Sequence, residues 1–169
     1  MAKTPVDPQL QALLDREAIR DLPLRYCDCV WRDDIDGLVK LFARDGEFAM
    51  TVNGQQASAV GHASMRKLYR QGLAIGPRPY IHNHVVELTA PDRATGRCYL
   101  DLRSVKQRME FIGAGYYLDS YVKIKGQWKF ARRAPQPPNL NDLGRIDLGK
   151  QKRFWRPSFF SFFCWRLSN

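Results

Sequence analysis

The sequence predicts an α+β protein in which a strongly curved, mainly antiparallel sheet wraps around N-terminal helices. Three observations support this fold class. Helical periodicity dominates the first quarter of the chain, long strand-like segments with short turns follow, and Gly113 and Gly115 interrupt one of those strands. Consecutive strands joined by short turns are typical of antiparallel sheets, and glycines within a strand favour bulges or bending. A bent sheet around helices would leave a conical pocket, which is where we expect the chemistry.

The helical part is expected to begin at Asp7-Pro8, because aspartate is a good N-cap and proline is tolerated at the first helical position. Pro23 should kink this first helix, since it lacks an amide hydrogen. A second helix is expected after Asp33-Asp34, ending near Gly46 with a left-handed glycine. The apolar positions of the first helix recur at steps of three and four residues: Leu10, Leu13, Leu14, Ala18, Leu22 and Tyr26.

Strand patterns take over after residue 46. Segments 47–52 and 55–60 flank Asn53-Gly54, which favours a hairpin with a tight turn. A short helix is expected over about 62–73, closed by Gly76-Pro77. Alternating or β-branched segments then predict four further strands, at 80–89, 94–106, 113–125 and 128–133.

The last part of the chain differs in composition from the rest. We expect one domain over residues 1–133, followed by a proline-containing linker and an aromatic, basic extension over residues 134–169. Residues 145–169 hold six basic residues against Asp147 alone, and seven of the 20 aromatic residues. Such a segment is expected to pack on its own domain or on a dimer mate, with contact to a membrane surface as the less favoured alternative.

Composition excludes several classes of protein. At 169 residues and 44% hydrophobic content, the chain is of ordinary globular composition. It has no run of about 20 apolar residues that could span a bilayer, and its first residues lack the apolar core of an export signal. The four cysteines fit neither a disulfide scaffold nor a zinc site, which predicts free thiols and a cytoplasmic protein.

Half of the net charge of +10 lies in residues 145–169, so the body is only mildly basic and no specific nucleic-acid partner is expected.

Several segments, in their order and spacing, resemble SnoaL-like proteins of the nuclear transport factor 2-like superfamily. The resemblance covers roughly residues 9–133 and implies a cone-shaped α+β barrel, usually a homodimer formed through the sheet. The segments that carry it are Arg20-Asp21-Leu22 to Tyr26, Asp33-Asp34-Ile35-Asp36-Gly37-Leu38, Leu41-Phe42-Ala43-Arg44-Asp45-Gly46, Val85-Val86-Glu87-Leu88, Tyr116-Tyr117-Leu118-Asp119-Ser120-Tyr121, and Gly126-Gln127-Trp128-Lys129-Phe130 with Arg132-Arg133.

The resemblance also implies a kind of chemistry. Enzymes of this superfamily include scytalone dehydratase, ketosteroid isomerase, polyketide cyclases and a dehydrochlorinase. They hold a small cyclic substrate in a mainly apolar cone and move a proton with one acid/base group, without a metal or an organic cofactor. Such a group needs a pKa drawn toward neutrality by burial.

Tyr26, Asp28 and Trp31 are candidates on the first helix. By resemblance to scytalone dehydratase, Asp28 takes the place of a pocket aspartate, whereas other family enzymes have the aspartate at the position of Trp31. Asp28 is therefore predicted either to be catalytic or to be a solvated helix residue. Tyr26 lies on the apolar stripe, so it either stabilises charge on the substrate or packs in the core. Trp31 is predicted to contact the substrate.

His82-Asn83-His84 provides two of the three histidines. Histidine carries protons near neutral pH, and strand alternation places both histidines on one face with Asn83 on the other. The family's usual histidine position falls on Pro79, so a register shift or a bulge would be needed to transfer that role. His82 and His84 are predicted to be catalytic and Asn83 to bind substrate, with a surface or dimer-interface pair as the alternative.

Asp101 and Tyr117 complete the candidates. Asp101 shares a strand face with Tyr99 and Arg103, and leucines occupy the other face. This pattern predicts either a polar outer face or a polar wall toward the ligand. Tyr116, Tyr117 and Tyr121 are pocket or interface aromatics, and Asp119, which lies among them, is not singled out. We assign Asp101 and Tyr117 to substrate binding.

The function predicted from these residues is a small, cofactor-independent lyase or isomerase, dehydratase- or cyclase-like, acting on a cyclic or aromatic compound. Asp28 or His82 would take a proton and Tyr26 would stabilise the developing oxyanion. Two alternatives remain open. One is a non-catalytic module that binds a hydrophobic ligand or a protein, and the other is a scaffold resembling the β-subunit of an aromatic-ring oxygenase.

Overall fold

The computed structural model describes residues 7–52, 55–73 and 76–136. It contains three helices: α1 (Pro8–Trp31), α2 (Ile35–Lys40) and α3 (Gly61–Leu73). The predicted start of α1 is confirmed, since the Asp7 carboxylate accepts hydrogen bonds from the amides of Gln9 and Leu10. The helix is continuous across Pro23. No helix in these described ranges is long and apolar enough to cross a membrane.

Six strands form one sheet: β1 (Phe42–Val52), β2 (Gln55–Val60), β3 (Pro77–Ala90), β4 (Arg93–Ser104), β5 (Glu110–Ile124) and β6 (Gln127–Gln136). Their order is β2-β1-β6-β5-β4-β3, so β2 and β3 are the edges of an open sheet. Every neighbouring pair is antiparallel except β1 and β6, which are parallel. The predicted α+β class with helices before a mainly antiparallel sheet is confirmed.

Some boundaries differ from the prediction. The second helix ends at Lys40, and the segment from Phe42 to Gly46, predicted to be helical, belongs to β1. The amide of Phe130 in β6 bonds to the carbonyl of Leu41, so pairing with β6 begins at once and competes with the helix. At the other end, β6 continues to Gln136, so residues 134–136, which the sequence analysis assigns to the linker, belong to the strand. The turn at Asn53-Gly54 and the extension beyond Gln136 lie outside the described residues.

The core lies between α1 and the inner face of the sheet. Tyr26 of α1 is buried there and makes edge-to-face contacts with Phe42, Tyr69, Tyr117 and Phe130. Such aromatic pairs stabilise a core beyond the area that they bury. This interior is therefore dense in aromatic rings, and the polar groups found among them need a specific explanation.

A polar contact also holds α1 against the β5–β6 hairpin. The buried carboxylate of Asp15 accepts hydrogen bonds from Lys123 Nζ (2.6 Å) and Trp128 Nε1 (2.8 Å). Burial raises the pKa of Asp15, but these hydrogen bonds outweigh it, and the pKa lies below its ordinary value. The contact holds the helix over the sheet at some distance from the polar cluster described next.

Candidate functional site

A cluster of buried polar side chains lies on the inner face of the sheet, beneath α1 and α3. The strands β5 and β6 supply Asp119 and Arg133, which are directly opposite each other in the antiparallel ladder. Arg133 donates from Nε to Oδ1 and from Nη2 to Oδ2 of Asp119, both at 3.0 Å, and neither side chain is exposed. Burial raises the pKa of Asp119, and the charge of Arg133 opposes that rise. The cluster is thus centred on a two-point ion pair without solvent.

Aromatic rings surround the guanidinium of Arg133. Its central carbon lies 3.8 Å from the ring centre of Tyr117 and 4.4 Å from those of Tyr26 and Phe130. Cation–π attraction of this kind is strongest where water is excluded. The remaining nitrogen, Nη1, is buried and has no hydrogen-bond partner in the described part of the chain. The hydrogens on Nη1 of Arg133 are therefore available for donation to another group, in surroundings formed mainly by aromatic rings.

A chain of hydrogen bonds extends from Asp119 to His84 on β3. The hydroxyl of Tyr121 donates to Oδ2 of Asp119 (2.9 Å) and lies 3.0 Å from Nε2 of His84. Because the tyrosine proton goes to the carboxylate, the tyrosine oxygen accepts from the Nε2–H of His84. The other ring nitrogen, Nδ1, then carries a free lone pair.

The environment of His84 keeps its imidazole neutral. Burial and the positive charges of Arg133 and Arg20 lower the pKa of His84 from its usual 6.5 to about 4. Nδ1 is buried and, within residues 7–52, 55–73 and 76–136, has no hydrogen-bond partner. At neutral pH His84 is therefore a proton acceptor whose orientation is fixed by Tyr121.

Two tyrosine hydroxyls complete the cluster. Those of Tyr26 (α1) and Tyr69 (α3) are 3.1 Å apart, and both residues are buried. Burial raises the pKa of each far above its ordinary value. Both hydroxyls therefore stay protonated, so they can donate hydrogen bonds to an oxygen atom but do not serve as bases near neutral pH.

Two β-bulges direct the key residues inward. On β3, Ile81 pairs with Leu100 and His84 with Cys98, so His82 and Asn83 together oppose a single residue of β4. On β6, Arg132 pairs with Ser120 and Phe130 with Tyr121, so Ala131 is the extra residue. An extra residue reverses which side chains face the core. His84 and Arg133 reach the inner face for this reason.

The prediction that His82 and His84 share a face is wrong, because the bulge on β3 places them on opposite faces. His84 joins the cluster, whereas His82 lies on the outer face, with Nε2 3.4 Å from Oδ2 of Asp101. Asp101 is on that face because Leu100 on the opposite one is buried. Asn83 is exposed within the bulge. These three residues do not converge with the cluster.

Asp28 and Trp31 also lie elsewhere. They line an open groove of about 380 Å³ between α1 and the start of β3, together with Leu24, Cys27 and residues 79–81. The Asp28 side chain is 63% exposed and pairs with Arg32, one turn further along the helix. Trp31 Nε1 donates to the carbonyl of Pro79 (2.8 Å). The expected convergence of Asp28 with the histidines in one closed apolar pocket is not observed, because Asp28 is on the outward side of α1.

The structure thus brings together three predicted site residues, Tyr26, His84 and Tyr117. It adds four that the sequence analysis did not assign to the site: Tyr69, Asp119, Tyr121 and Arg133. One sequence signal for Asp119 exists, since it lies between Tyr117 and Tyr121 on one strand face, where a carboxylate among aromatics requires a partner. In the described ranges, no three His, Cys, Asp or Glu side chains are grouped closely enough to hold a metal ion.

Comparison with solved structures supports the fold. An NTF2-like protein with a cystatin-like fold from Novosphingobium aromaticivorans is 26% identical, with a TM-score of 0.67 over 78% of this chain and 86% of the other. A protein assigned as a scytalone dehydratase from the same organism is 24% identical, with a TM-score of 0.65 over 76% and 87%. A type 2 hexachlorocyclohexane dehydrochlorinase (LinA) is 22% identical, with a TM-score of 0.63 over 76% and 88%.

The family comparison is more direct than the structural one. A search of curated proteins returned no match. The model of the SnoaL-like domain family, in contrast, matches residues 11–134, a range that includes every member of the buried cluster. The chain therefore belongs to the SnoaL-like domain family and has the nuclear transport factor 2-like fold.

Proposed function

We propose that this protein is a cofactor-independent lyase or isomerase that moves a proton on a cyclic or aromatic small molecule, with His84 as the base. The observation that carries the proposal is the buried Nδ1 of a neutral histidine, which has no partner among the described residues and lies at the end of a hydrogen-bonded chain that leads to Asp119. A base of this kind needs a free lone pair, a fixed orientation and a nearby negative charge. His84 has all three.

The proton transfer follows from the tautomer. Nδ1 removes a proton from a carbon next to a carbonyl group, and the electron pair moves onto the carbonyl oxygen. The imidazolium that forms keeps its Nε2–H bond to Tyr121, whose own proton is held by Asp119. The negative charge of Asp119, one hydroxyl away, opposes the burial and the positive charges of Arg133 and Arg20 that disfavour the imidazolium.

Arg133 and the tyrosines serve the developing oxyanion. Preorganised donors in a site without water stabilise such charge strongly. The free Nη1 hydrogens of Arg133 and the protonated hydroxyls of Tyr26 and Tyr69 are donors of this kind. In a dehydration, collapse of the oxyanion expels the hydroxyl group of the next carbon, which takes the proton from the His84 imidazolium and leaves as water, so that His84 is neutral again. In an isomerisation, the proton returns at a different carbon.

The similar structures favour elimination as the reaction type. One is assigned as a scytalone dehydratase and another is a hexachlorocyclohexane dehydrochlorinase, and both share this fold. We apply this reaction type to the present chain only as part of the proposal.

The assembly and location proposed with this function rest on separate features. The outer face of the sheet exposes Val85 and Leu118 beside Tyr99 and Tyr116, whose rings contact each other at a tilt, and this suits a homodimer formed through the sheet. Cys27, Cys29 and Cys98 are free, as expected for a cytoplasmic protein.

Dehydration of 3-hydroxy-1-tetralone tests the proposal, together with deuterium exchange at C2 of a panel of hydroxylated cyclic ketones in D2O. Loss of the C2 proton and of the C3 hydroxyl from this compound yields 1-naphthol, which is followed by absorbance. We expect His84→Gln to lower the rate at least 100-fold, since general-base groups contribute about 10²–10⁴-fold. Tyr121→Phe should lower it less, because it interrupts only the connection to Asp119.

His82→Gln is the matched control, because it changes the other histidine of the same strand on the outer face. It should leave the rate unchanged, as should Asp28→Asn. Equal activity of His84→Gln and the parent protein, or absence of exchange and dehydration across the whole panel, would refute the proposal.

A non-catalytic module that binds a hydrophobic ligand is the second candidate. It is favoured by the exposed position of Asp28, which the resemblance to scytalone dehydratase assigns to the pocket. Binding of the cyclic ketones with the same affinity in the parent and in His84→Gln, without exchange in either, would support this alternative.

A further inference from the structure

The outward face of α1 carries a continuous stripe of apolar and acidic side chains. Its members follow one another at alternating steps of four and three residues, which keeps them on the side of the helix opposite its buried residues. The apolar members are Leu10, Leu14, Leu24 and Trp31, all of which are exposed. The acidic members are Glu17, Asp21 and Asp28. We call these seven residues the α1 stripe.

The acidic members of the stripe remain available to a partner. Each is paired with an arginine three or four residues further along the helix: Arg20, Arg25 and Arg32. All three pairs have both side chains largely exposed, and such surface pairs contribute only about 0–1 kcal/mol. A basic segment could exchange for these arginines at little cost.

The α1 stripe has more exposed apolar side chains than scattered surface residues would account for. Single exposed apolar residues are normal, but four on one face of a helix, interleaved with acidic residues, suit an amphipathic partner segment. At the C-terminal end of α1 the stripe borders the groove between Leu24, Trp31 and residues 79–81. Trp31 and Tyr80 meet there edge to face at 5.3 Å, and both are exposed, although the Arg103 guanidinium lies over the Tyr80 ring at 5.8 Å.

We propose that residues 145–169 of the same chain dock on the α1 stripe. Their composition is complementary to it: six basic residues against one acidic, and seven aromatic residues, including Phe154, Trp155 and Phe160. Basic side chains would meet the acidic members, and aromatic side chains would cover the leucines and fill the groove. The proposal concerns a different surface from the buried cluster and does not depend on the proposed reaction.

The position of Gln136 allows this docking. Gln136 pairs with Tyr116, which pairs with Tyr99, which faces the bulge of β3 next to the groove. Three strand spacings of about 4.8 Å separate Gln136 from that edge, roughly 14 Å. Five extended residues at about 3.3 Å each span this distance. Seventeen residues lie between Gln136 and Phe154, so the aromatic part reaches the stripe.

Photochemical cross-linking of the full-length protein tests the inference. The photoreactive residue p-benzoylphenylalanine replaces Phe160, and the cross-linked peptides are identified by mass spectrometry. We expect cross-links within one chain to residues of α1 and of the groove. Leu24→Glu should reduce their yield at least fivefold, because it places a charge in the middle of the docked surface.

Val60→Glu is the matched control, since Val60 of β2 has the same 57% exposure as Leu24 but lies far from the stripe in the sheet order. It should leave the yield unchanged, which separates loss of docking from loss of folding. Cross-links to the stripe of a second chain, cross-links confined to other surfaces, or an equal effect of both substitutions would each overturn the proposal.

Discussion

Gly96 lies so close to His84 that a side chain at its position would displace the imidazole or its neighbours. A Cβ atom on Gly96 would be 2.9 Å from Nε2 of His84, 3.0 Å from the carbonyl oxygen of Val85 and 3.1 Å from a ring carbon of Tyr121. Separations this short require one of the neighbours to move. The absent side chain of Gly96 is therefore what allows the imidazole and the phenol ring to lie on the same face and share a hydrogen bond.

Gly96→Ala should separate His84 from Tyr121. We expect a loss of about 1–3 kcal/mol in the free energy of unfolding, as is typical of an added methyl group in a packed interior. The rate of the proposed reaction should fall as well, because the tautomer of His84 is no longer fixed. Chemical denaturation measures the first effect, and the ¹⁵N shifts of the His84 ring, compared with the parent protein, measure the second.

Gly113→Ala is the control for this change. Gly113 is also a strand glycine, but a Cβ there would meet nothing within 4 Å. The stability of Gly113→Ala, and the ¹⁵N shifts of the His84 ring in this variant, should match those of the parent protein. A Gly96→Ala protein with unaltered ring shifts would contradict the steric argument.

The ion pair of Asp119 and Arg133 should be costly to break from one side. Asp119→Asn leaves the guanidinium buried with no countercharge, and loss of one partner of a buried pair costs about 3–5 kcal/mol. Replacing both residues, as in Asp119→Leu with Arg133→Met, should recover part of that loss, because no charge then remains in the core. Denaturation of Asp119→Leu, Arg133→Met and the double variant gives the coupling energy.

The exposed pair of Arg132 and Glu47, which joins β6 to β1 rather than to β5, offers a comparison. It has the same separation of 3.0 Å between charged atoms, but both side chains are partly exposed. Glu47→Gln should therefore change stability by only about 0–1 kcal/mol. Equal effects of Asp119→Asn and Glu47→Gln would show that burial does not govern the inner pair.

The helices and strands were predictable from the sequence because their signals are local. The Asp7-Pro8 start of α1 is confirmed, as are the two strands on either side of Asn53-Gly54. The error at Phe42 to Gly46 has a non-local cause. Those residues are compatible with a helix, and only their pairing with β6, almost 90 residues later, makes them a strand. The local spacing of apolar residues therefore gives no information about pairing with β6.

The site was only partly predictable for a related reason. Tyr26 is on the apolar stripe of its helix, and its burial follows from period alone. His84 and Arg133 face inward because one extra residue is inserted in each of their strands. A bulge is defined by the register between two strands, so simple alternation assigns His84 to the same face as His82. Charge alone favours an exposed position for Arg133, and its burial depends on Asp119, which is opposite it on β5.

Asp15 should be a structural residue that contributes nothing to the proposed chemistry. Asp15→Ala leaves Lys123 and Trp128 without their acceptor, and we expect a loss of about 1–3 kcal/mol in the free energy of unfolding. The rate of the proposed reaction at saturating substrate should stay unchanged at a temperature where the variant is folded. Asp21→Asn, in an exposed pair with Arg25 on the same helix, is the control and should alter neither quantity. A fall in rate without a fall in stability would assign Asp15 a role in the site.

His84 should make the protein less stable in mild acid. Its pKa is about 4 in the folded protein, whereas an unfolded histidine titrates near 6.5. Between these two values the unfolded chain binds the proton that folded His84 refuses, so stability falls as the pH falls through this window. Above pH 6.5 both states are neutral at this residue, and below pH 4 both are protonated, so the dependence is confined to the interval.

The free energy of unfolding of the parent protein, minus that of His84→Gln, should decrease as the pH is lowered from 7 to 4. The same subtraction with His82→Gln, which changes the histidine on the outer face of the same strand, provides the comparison. A flat difference for His84→Gln would mean that the imidazole is not held neutral by its buried position, and the proposed base would then lose its physical justification.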